Sequence, residues 1–228
     1  MLKYILSLSL VLLGSIVEAQ KEEGVTSGAE QAAINKGKPG LSVGIDLAPF
    51  ITHFFADERF GVEATARYAI NRKWQVAAEL GYENVDYSSE KMDYQSDGSF
   101  IRAGIDYNVF KVQELGNNDN ILVGVRYAMA VQEHSCPRYT ISEEYWGDYE
   151  GSFGSSTVNS HWAEFVFGLR SEVLKNFYLG WTVRLRSIIN VGADDGLEPY
   201  SIPGFGRRDR SMNLGFTYTI EYHLPFKK

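Results

Sequence analysis

Apolar and polar residues alternate along much of this chain, most clearly in residues 211–226, which read SMNLGFTYTIEYHLPF. Every second position from Met212 to Phe226 is apolar, and the positions between are polar, glycine or proline. A repeat of two residues predicts a β-strand, because successive side chains of a strand point to opposite faces. The segment exceeds the roughly five or six residues usual in soluble sheets and suits a membrane-crossing strand of about nine to eleven.

Seven earlier segments alternate in the same way and predict seven more strands: residues 41–48, 60–70, 74–83, 101–109, 121–132, 163–172 and 177–186. The links between strands alternate in length. The shorter links are residues 71–72, 111–120 and 175–176, and the longer ones are residues 49–59, 84–99, 133–160 and 190–210. This asymmetry is typical of outer-membrane barrels, whose short turns share one end with both termini. The pattern predicts an all-β fold: an eight-stranded antiparallel up-and-down transmembrane β-barrel formed by residues 41–228.

The start of the chain follows a different pattern. Lys3 precedes an apolar run at residues 4–17, and Val17-Glu18-Ala19 forms a small-x-small cleavage site. These features predict a signal peptide at residues 1–19, which is cleaved on export. Residues 20–40 are polar and have no period, so we expect a flexible periplasmic leader.

The charged residues on the polar faces of the strands are arginines and carboxylates, with no lysine among them. A water-exposed face would use lysine freely, whereas the planar guanidinium of arginine suits an enclosed network and binds carboxylates two at a time. Enclosure also requires near balance of charge, because an unpaired buried charge is costly. We therefore expect a lumen ionic network of Asp46, Glu63, Arg67, Glu79, Glu83, Arg102, Asp106, Arg126, Glu164, Arg170, Glu172, Arg184, Arg186 and Glu221.

Glycine supports the same assignment of faces. Each predicted strand carries one glycine on its polar face: Gly44, Gly61, Gly81, Gly104, Gly124, Gly168, Gly180 and Gly215. Glycine weakens a strand but gives room where long side chains cross a narrow lumen. An eight-stranded barrel is just wide enough for its side chains to fill. We expect the polar faces to form a filled interior and the apolar faces to meet lipid.

Composition narrows the function classes. The net charge of −7 argues against a nucleic-acid partner. Cys136 is the only cysteine and falls in the third long link, so the chain has no internal disulfide. His134, Cys136 and Glu133 lack the spacing of a metal site, and no motif indicates a cofactor. The expectation is a protein without metal or cofactor.

Taken together, the signal peptide, eight strands, arginine- and glutamate-filled polar face and aromatic terminal strand resemble the small outer-membrane β-barrels of Gram-negative bacteria, the OmpX and OmpA barrel-domain class. The chain is also similar to an outer-membrane family of the Bacteroidetes without an assigned function. The resemblance implies an outer-membrane location with lipid and lipopolysaccharide around the barrel. It also implies recognition of the last strand by the outer-membrane assembly machinery, for which Tyr222, Leu224 and Phe226 are the candidates.

Three function classes follow. The first is a structural or surface-interaction barrel with a filled lumen, which is not a general porin; its extracellular ligand is unknown. Aromatic residues of the third long link would then bind a ligand or cover the barrel mouth: Tyr139, Tyr145, Trp146, Tyr149 and Phe153. The second is a secreted, soluble, lipocalin-like barrel that binds a small apolar ligand. The third is a lipid A-modifying enzyme using Ser160 and His161, although strand parity places His161 and Glu164 on opposite faces.

Overall fold

A computed structural model describes residues 39–53, 58–110, 118–143, 147–192 and 198–226 of the chain. Its elements are β1 (Gly40–Asp46), α1 (Ala48–His53), β2 (Arg59–Ala69), β3 (Trp74–Ser88), β4 (Met92–Asn108), β5 (Asn120–Glu143), β6 (Gly147–Leu174), β7 (Phe177–Val191), β8 (Ser201–Ile202), β9 (Gly206–Arg207) and β10 (Met212–Pro225). The predicted signal peptide, most of the predicted leader, and Lys227 and Lys228 lie outside the described residues.

Eight of these strands close into a barrel in the order β1-β10-β7-β6-β5-β4-β3-β2. Every pair is antiparallel, and β10 closes the ring by pairing with β1 from Thr219 to Pro225. The predicted eight-stranded antiparallel up-and-down fold is therefore confirmed. We call the end where β1 begins and β10 ends the terminal end, and the opposite end the hairpin end. None of the described helices is long and apolar enough to cross a membrane.

Two of the predicted long links are instead continuations of the barrel strands. Residues 84–99 form the ends of β3 and β4, which pair up to Ser88 and Asp93. Residues 133–160 belong mostly to β5 and β6, which pair up to Glu143 and Gly147. The prediction of loops there was wrong because the apolar residues of these strand ends, such as Tyr94, Tyr139 and Phe153, are separated by polar residues of the same parity and give no sustained alternation. The strand ends form a four-stranded sheet, β3 to β6, that projects beyond the rest of the barrel.

The two faces of the barrel wall differ sharply in chemistry. Large apolar side chains such as Leu80, Tyr127 and Phe165 are 52–60% exposed on the outside. Charged side chains such as Glu79, Arg102 and Arg184 are at most 2% exposed in the lumen. On β5 the apolar outer face runs from Ile121 to Val131, and polar Glu133 follows on the same face. Eleven residues correspond to a belt about 25 Å high at the usual tilt of about 40°.

Candidate functional site

Buried charged side chains form one connected network across the middle of the lumen. We call it the ionic layer: Glu63, Arg67, Glu79, Arg102, Asp106, Arg126, Glu164, Arg170, Arg184, Arg186 and Glu221. Its members come from every barrel strand except β1. Each side chain projects inward because it occupies the inward parity of its strand, alternating with the apolar residues of the outer belt. Among the buried residues of the described chain, arginine is present and lysine is not.

Near the terminal end, two carboxylates each bridge two arginines. Glu221 accepts from Arg67 at 3.0 Å and from Arg170 at 2.8 Å. Asp106 binds Arg67 at 2.6 Å and Arg126 at 2.7 Å through the same oxygen. Charge-assisted hydrogen bonds at these distances are the strong class. Arg67 thereby joins β2 to both β4 and β10, so the network ties together strands that are not neighbours in the sheet.

Glu79 is the centre of the layer. Its oxygens lie 2.5 Å from Arg184, 3.2 Å from Arg102 and 3.6 Å from Arg126. A second carboxylate, Glu164, binds Arg102 at 3.0 Å and Arg184 at 3.1 Å. Such sharing offsets the desolvation of each charge only while all partners are present. The arrangement is a cross-linked interior, and it places fixed charge where a water-filled channel would otherwise run.

The predicted lumen glycines lie on the inner face, and at most of them a Cβ would collide with the side chain or the backbone of a neighbouring strand. A Cβ at Gly81 would overlap the ring of Phe100, and one at Gly215 would overlap the guanidinium of Arg186. The same holds for Gly44 against Glu221, Gly104 against Val125 and Arg126, Gly124 against Asp106, and Gly180 against Thr219. A Cβ added at Gly61 would have its nearest neighbouring atom at 3.4 Å, and one added at Gly168 would have it at 3.2 Å.

A different filling closes the hairpin end. Six buried apolar residues pack together, and we call them the apolar cap: Phe100, Ala128, Ala130, Trp162, Ile202 and Phe205. Ile202 and Phe205 come from residues 200–208, which we call the plug, a segment that bends back into the barrel mouth through β8 and β9. Gly204 sits between them at φ +75°, a conformation that favours glycine, and faces the ring of Phe100. The plug lies within the predicted long link at residues 190–210, whose sequence gives no sign of this burial.

Hydrogen bonds tie the plug to the wall and to the ionic layer. Arg102 donates to the carbonyl of Gly204 at 2.8 Å, and Arg186 donates to that of Phe205 at 3.1 Å. Gln132 donates to the carbonyl of Ser201 at 2.9 Å. On the wall, the indole of Trp162 donates to Glu164 at 2.7 Å. The plug carbonyls therefore receive donors from the same arginines that bind the buried carboxylates.

Three predicted network residues have other partners. Asp46 accepts the N–H groups of Ala48 at 2.9 Å and Tyr218 at 2.8 Å. Glu172 accepts the N–H of Asn176 at 2.7 Å, at the terminal end. Glu83 binds Arg59 at 3.0 Å and accepts the N–H of Gly204 at 3.0 Å. Arg59 was missed because it falls in a predicted link, one residue before the first alternating position of its strand.

The residues proposed for an enzyme are separated. Ser160 is buried in the lumen, whereas His161 lies on the outer face and bonds Tyr127 at 3.0 Å. The two side chains lie on opposite sides of β6, so they do not form a nucleophile and base pair. In the described part of the chain, no group of three or more His, Cys, Asp or Glu side chains is arranged to hold a metal ion.

The aromatic residues of the third link belong to the β5–β6 hairpin. Tyr139 stacks on Phe153 with ring centroids 5.2 Å apart and contacts Tyr149 at 6.3 Å. Tyr145 and Trp146 lie outside the described residues. Cys136 is only 3% exposed, and burial raises the pKa of its thiol. The Cys136 thiol is therefore poorly accessible to a labelling reagent. The barrel mouth is closed by the plug from the following link and not by these aromatic residues.

The candidate assembly residues lie on the outer face of the last strand. Tyr222, Leu224 and Phe226 are 44–51% exposed, and Phe226 contacts Tyr68 of β2 with ring centroids 6.0 Å apart. They are therefore accessible from outside the barrel at its terminal end. Their role in assembly stays a prediction.

Comparison with known proteins gives a family and similar solved structures. The family described as "Domain of unknown function (DUF6048)" matches residues 1–228. No curated protein matches the chain. A solved structure of Ail, the attachment invasion locus protein of Yersinia pestis, is similar with a TM-score of 0.42 and 9% identity, covering 82% of this chain and 98% of that one. The barrel assignment rests on the strand pairing of this chain itself.

Proposed function

The chain belongs to the DUF6048 family, and from the geometry of its barrel we propose that it is an integral outer-membrane protein that presents a β-sheet outside the cell for interaction with a partner. The apolar outer belt is the observation that carries the membrane location. A closed barrel with a mainly apolar outer face and a charged lumen suits a lipid environment, because the strands pair with one another around the ring and the charged side chains face away from lipid.

The filled, charged lumen and the separation of Ser160 from His161 disfavour the two other function classes. A lipocalin-like barrel needs an apolar lumen, whereas the ionic layer fills this lumen with arginines and carboxylates at most 14% exposed in their side chains. An enzyme of the Ser160 and His161 type lacks its side-chain pair. A general porin would need an open path, which the ionic layer and the plug both obstruct.

The orientation follows from the lengths of the links. The terminal end carries the two-residue link after β6, and the hairpin end carries the projecting sheet and the plug. In outer-membrane barrels the short turns face the periplasm and the long segments face outwards. We therefore place the hairpin end outside the cell. The exposed aromatic residues of β10 then lie near the periplasmic interface, within reach of the assembly machinery.

The projecting sheet supplies the surface for interaction. Pairing of β6 with β7 stops at Ser160, opposite Val191, and one further bond joins Gly192 to Asn159. Within the described residues, positions 147–158 of β6 have a strand neighbour on the β5 side only. An open edge of this kind offers backbone donors and acceptors to an extended segment of another protein. We propose this edge as the partner-binding element.

Labelling with a membrane-impermeant maleimide tests the location and the orientation. In a Cys136→Ser background, Ser152→Cys places a thiol on the exposed edge of β6, and Lys175→Cys places one at the terminal end. Intact cells should label Ser152→Cys only, and permeabilised cells should label both. Labelling of both variants only after permeabilisation would place the protein in the periplasm, and labelling of Lys175→Cys alone in intact cells would reverse the orientation.

A further inference from the structure

The barrel wall is incomplete near its hairpin end, because β1 is shorter than both of its neighbours. β1 pairs with β2 only as far as Ala64 and with β10 only as far as Thr219. One more hydrogen bond, from Leu47 to the carbonyl of Tyr218 at 2.8 Å, extends the second pairing. Beyond these points, residues 59–63 of β2 and 212–217 of β10 have no strand between them in the described part of the chain. We call this place the seam.

A seam at belt level has to be covered by polar groups, because unpaired backbone donors and acceptors are costly in hydrocarbon. Asp46 supplies the first of these polar groups: its carboxylate accepts the N–H of Tyr218, where a longer β1 would have supplied a backbone carbonyl. Helix α1 continues it: Nδ1 of His53 donates to the carbonyl of Arg59 at 3.0 Å. Helix α1 has only six residues, which is too short to pair both edges.

A cavity lies behind the seam and continues outwards into a groove. The cavity has a volume of about 160 Å³ and reaches from α1 to Arg59, Arg102 and Arg186. The carboxylates of Asp46, Glu63 and Glu83 also line it, so the excess of positive charge lies in the groove. The groove has a volume of about 300 Å³ and is shared between the plug and the start of β10. Both are lined by Arg59, Arg186 and Gly206, so they form one continuous site at the rim.

The groove is cationic and its flank is apolar. Its lining contains four arginines and one carboxylate: Arg59, Arg186, Arg207, Arg210 and Asp209. Arg207 is 3.5 Å from Asp209 and its side chain is 59% exposed. Directly along the seam, the outward side chains Leu214, Phe216 and Val62 are 77%, 46% and 39% exposed. Guanidinium groups bind phosphate through paired hydrogen bonds, and the apolar strip suits an acyl chain.

We propose that the seam binds a phosphorylated lipid of the surrounding leaflet, with its phosphate among the rim arginines and an acyl chain against Leu214 and Phe216. This inference rests on the proposed membrane location and goes beyond it by naming a ligand class and a site. The lipid phosphate then supplies acceptors where the wall lacks a strand, and its chain covers the apolar strip of β10.

The test uses the full chain in detergent micelles with dioleoyl phosphatidic acid as the probe, and native mass spectrometry counts the retained lipid. Arg207→Ala combined with Arg210→Ala removes two exposed charges without touching the ionic layer. The control combines Lys73→Ala with Lys175→Ala, which removes two exposed charges at the terminal end. We expect about a tenfold loss of affinity in the arginine variant and no change in the control. Leu214→Asp should also weaken lipid retention.

Several outcomes would overturn the proposal. Unchanged retention in the arginine variant, or equal loss in the lysine control, would remove the site. Competition by inorganic phosphate alone at concentrations equal to the lipid would mean that the acyl chain contributes nothing and that the ligand is a free anion. Flotation of each variant with lipid vesicles keeps the two proposals apart: a chain that floats but retains no phosphatidic acid contradicts only the seam, whereas a chain that does not float contradicts the membrane location.

Discussion

The ionic layer and the apolar cap fill the same lumen by opposite means. In the layer, Glu79 and Glu164 are held by two or more arginines from other strands, over sequence separations as large as 105 residues for Glu79 and Arg184. The cap consists of apolar side chains in contact, and two of its six members come from the plug. The layer therefore joins the strands of the wall to one another and binds the plug backbone through Arg102 and Arg186, whereas the cap packs the plug side chains against the wall.

This difference teaches where each kind of filling is useful. A buried ion pair is weak evidence for stability when compared with a well-packed apolar pair, but it is strongly sensitive to the loss of one partner. The layer lies at the level of the apolar belt. There the lumen-facing positions carry arginines and carboxylates, whereas the outward-facing positions of the same strands are apolar. The cap lies nearer the hairpin end, where apolar burial can hold a segment that has only two two-residue strands. Three predictions separate the two regions, and a fourth compares them with an ion pair outside the lumen.

The largest effect should follow from removing the centre of the layer. Glu79→Ala leaves Arg184, Arg102 and Arg126 without their shared carboxylate, so we expect the free energy of unfolding to fall by about 3–5 kcal/mol. Urea titration of the chain in lipid vesicles, followed by tryptophan fluorescence, measures it. Glu90→Ala, at an exposed position between β3 and β4, is the control and should change stability by less than about 0.5 kcal/mol. Equal losses of stability in Glu79→Ala and Glu90→Ala would show that the ionic layer does not stabilise the barrel wall.

Removing a cap residue should give a somewhat smaller effect that concentrates in the plug. Phe205→Ala opens a cavity against Trp162, whose ring centroid lies 5.9 Å away, and should cost about 3 kcal/mol. Hydrogen exchange of residues 200–208 should accelerate more than that of the strands. Phe165→Ala, which removes the same side chain from a 52% exposed position on the outer face, is the matched control and should leave plug exchange unchanged. Uniform acceleration across the strands would mean that the cap also holds the wall.

Overpacking at the boundary between the two regions should cost less again. Gly81→Ala forces a methyl group into the ring of Phe100, and we expect a loss of about 1–3 kcal/mol. Gly61→Ala is the matched control on the neighbouring strand, because a Cβ at Gly61 would lie 3.4 Å from the nearest atom, the carbonyl oxygen of Tyr82. Urea titration of both variants decides the matter. If Gly61→Ala costs as much as Gly81→Ala, the collision with Phe100 does not account for the loss.

Alternation and residue type were sufficient to predict the number of strands, their faces and the chemistry of the layer. Arg67 and Glu221 could be assigned to the polar faces of their strands from parity, which is local, and the residue types on those faces identified them as the lumen side. Their pairing could not be predicted, since it depends on register and on approach across the lumen. The strand ends of the projecting sheet were missed because their apolar residues are too scattered to form a sustained alternation. The plug was missed because Ile202 and Phe205 follow no period; their burial depends on Phe100 and Trp162, which are far away in the sequence.

An ion pair outside the lumen provides the smallest expected effect and the sharpest contrast. Asp93 binds Arg138 at 2.9 Å near the tip of the β3–β4 hairpin, and hydrogen bonds from Arg138 and Ser88 lower the pKa of its carboxyl group. Because the pKa is lowered by folding, the stabilising contribution is complete above the ordinary carboxyl pKa of about 4 and is lost as the pH falls through the pKa of Asp93. The effect is small because solvent screens exposed pairs.

Hydrogen-exchange protection at the hairpin tip, corrected for intrinsic rates and followed from pH 6 to pH 2, measures this loss. Protection at the tip should decrease on acidification, and 1 M salt should reduce the protection already at pH 6, because screening weakens an exposed pair. Asp93→Asn should start lower and show a flatter dependence on pH. A wild-type profile that matches that of Asp93→Asn would show that the pair contributes nothing. The Asp93–Arg138 pair would then not stabilise the hairpin tip, in contrast to the stability that we expect from the ion pairs of the ionic layer.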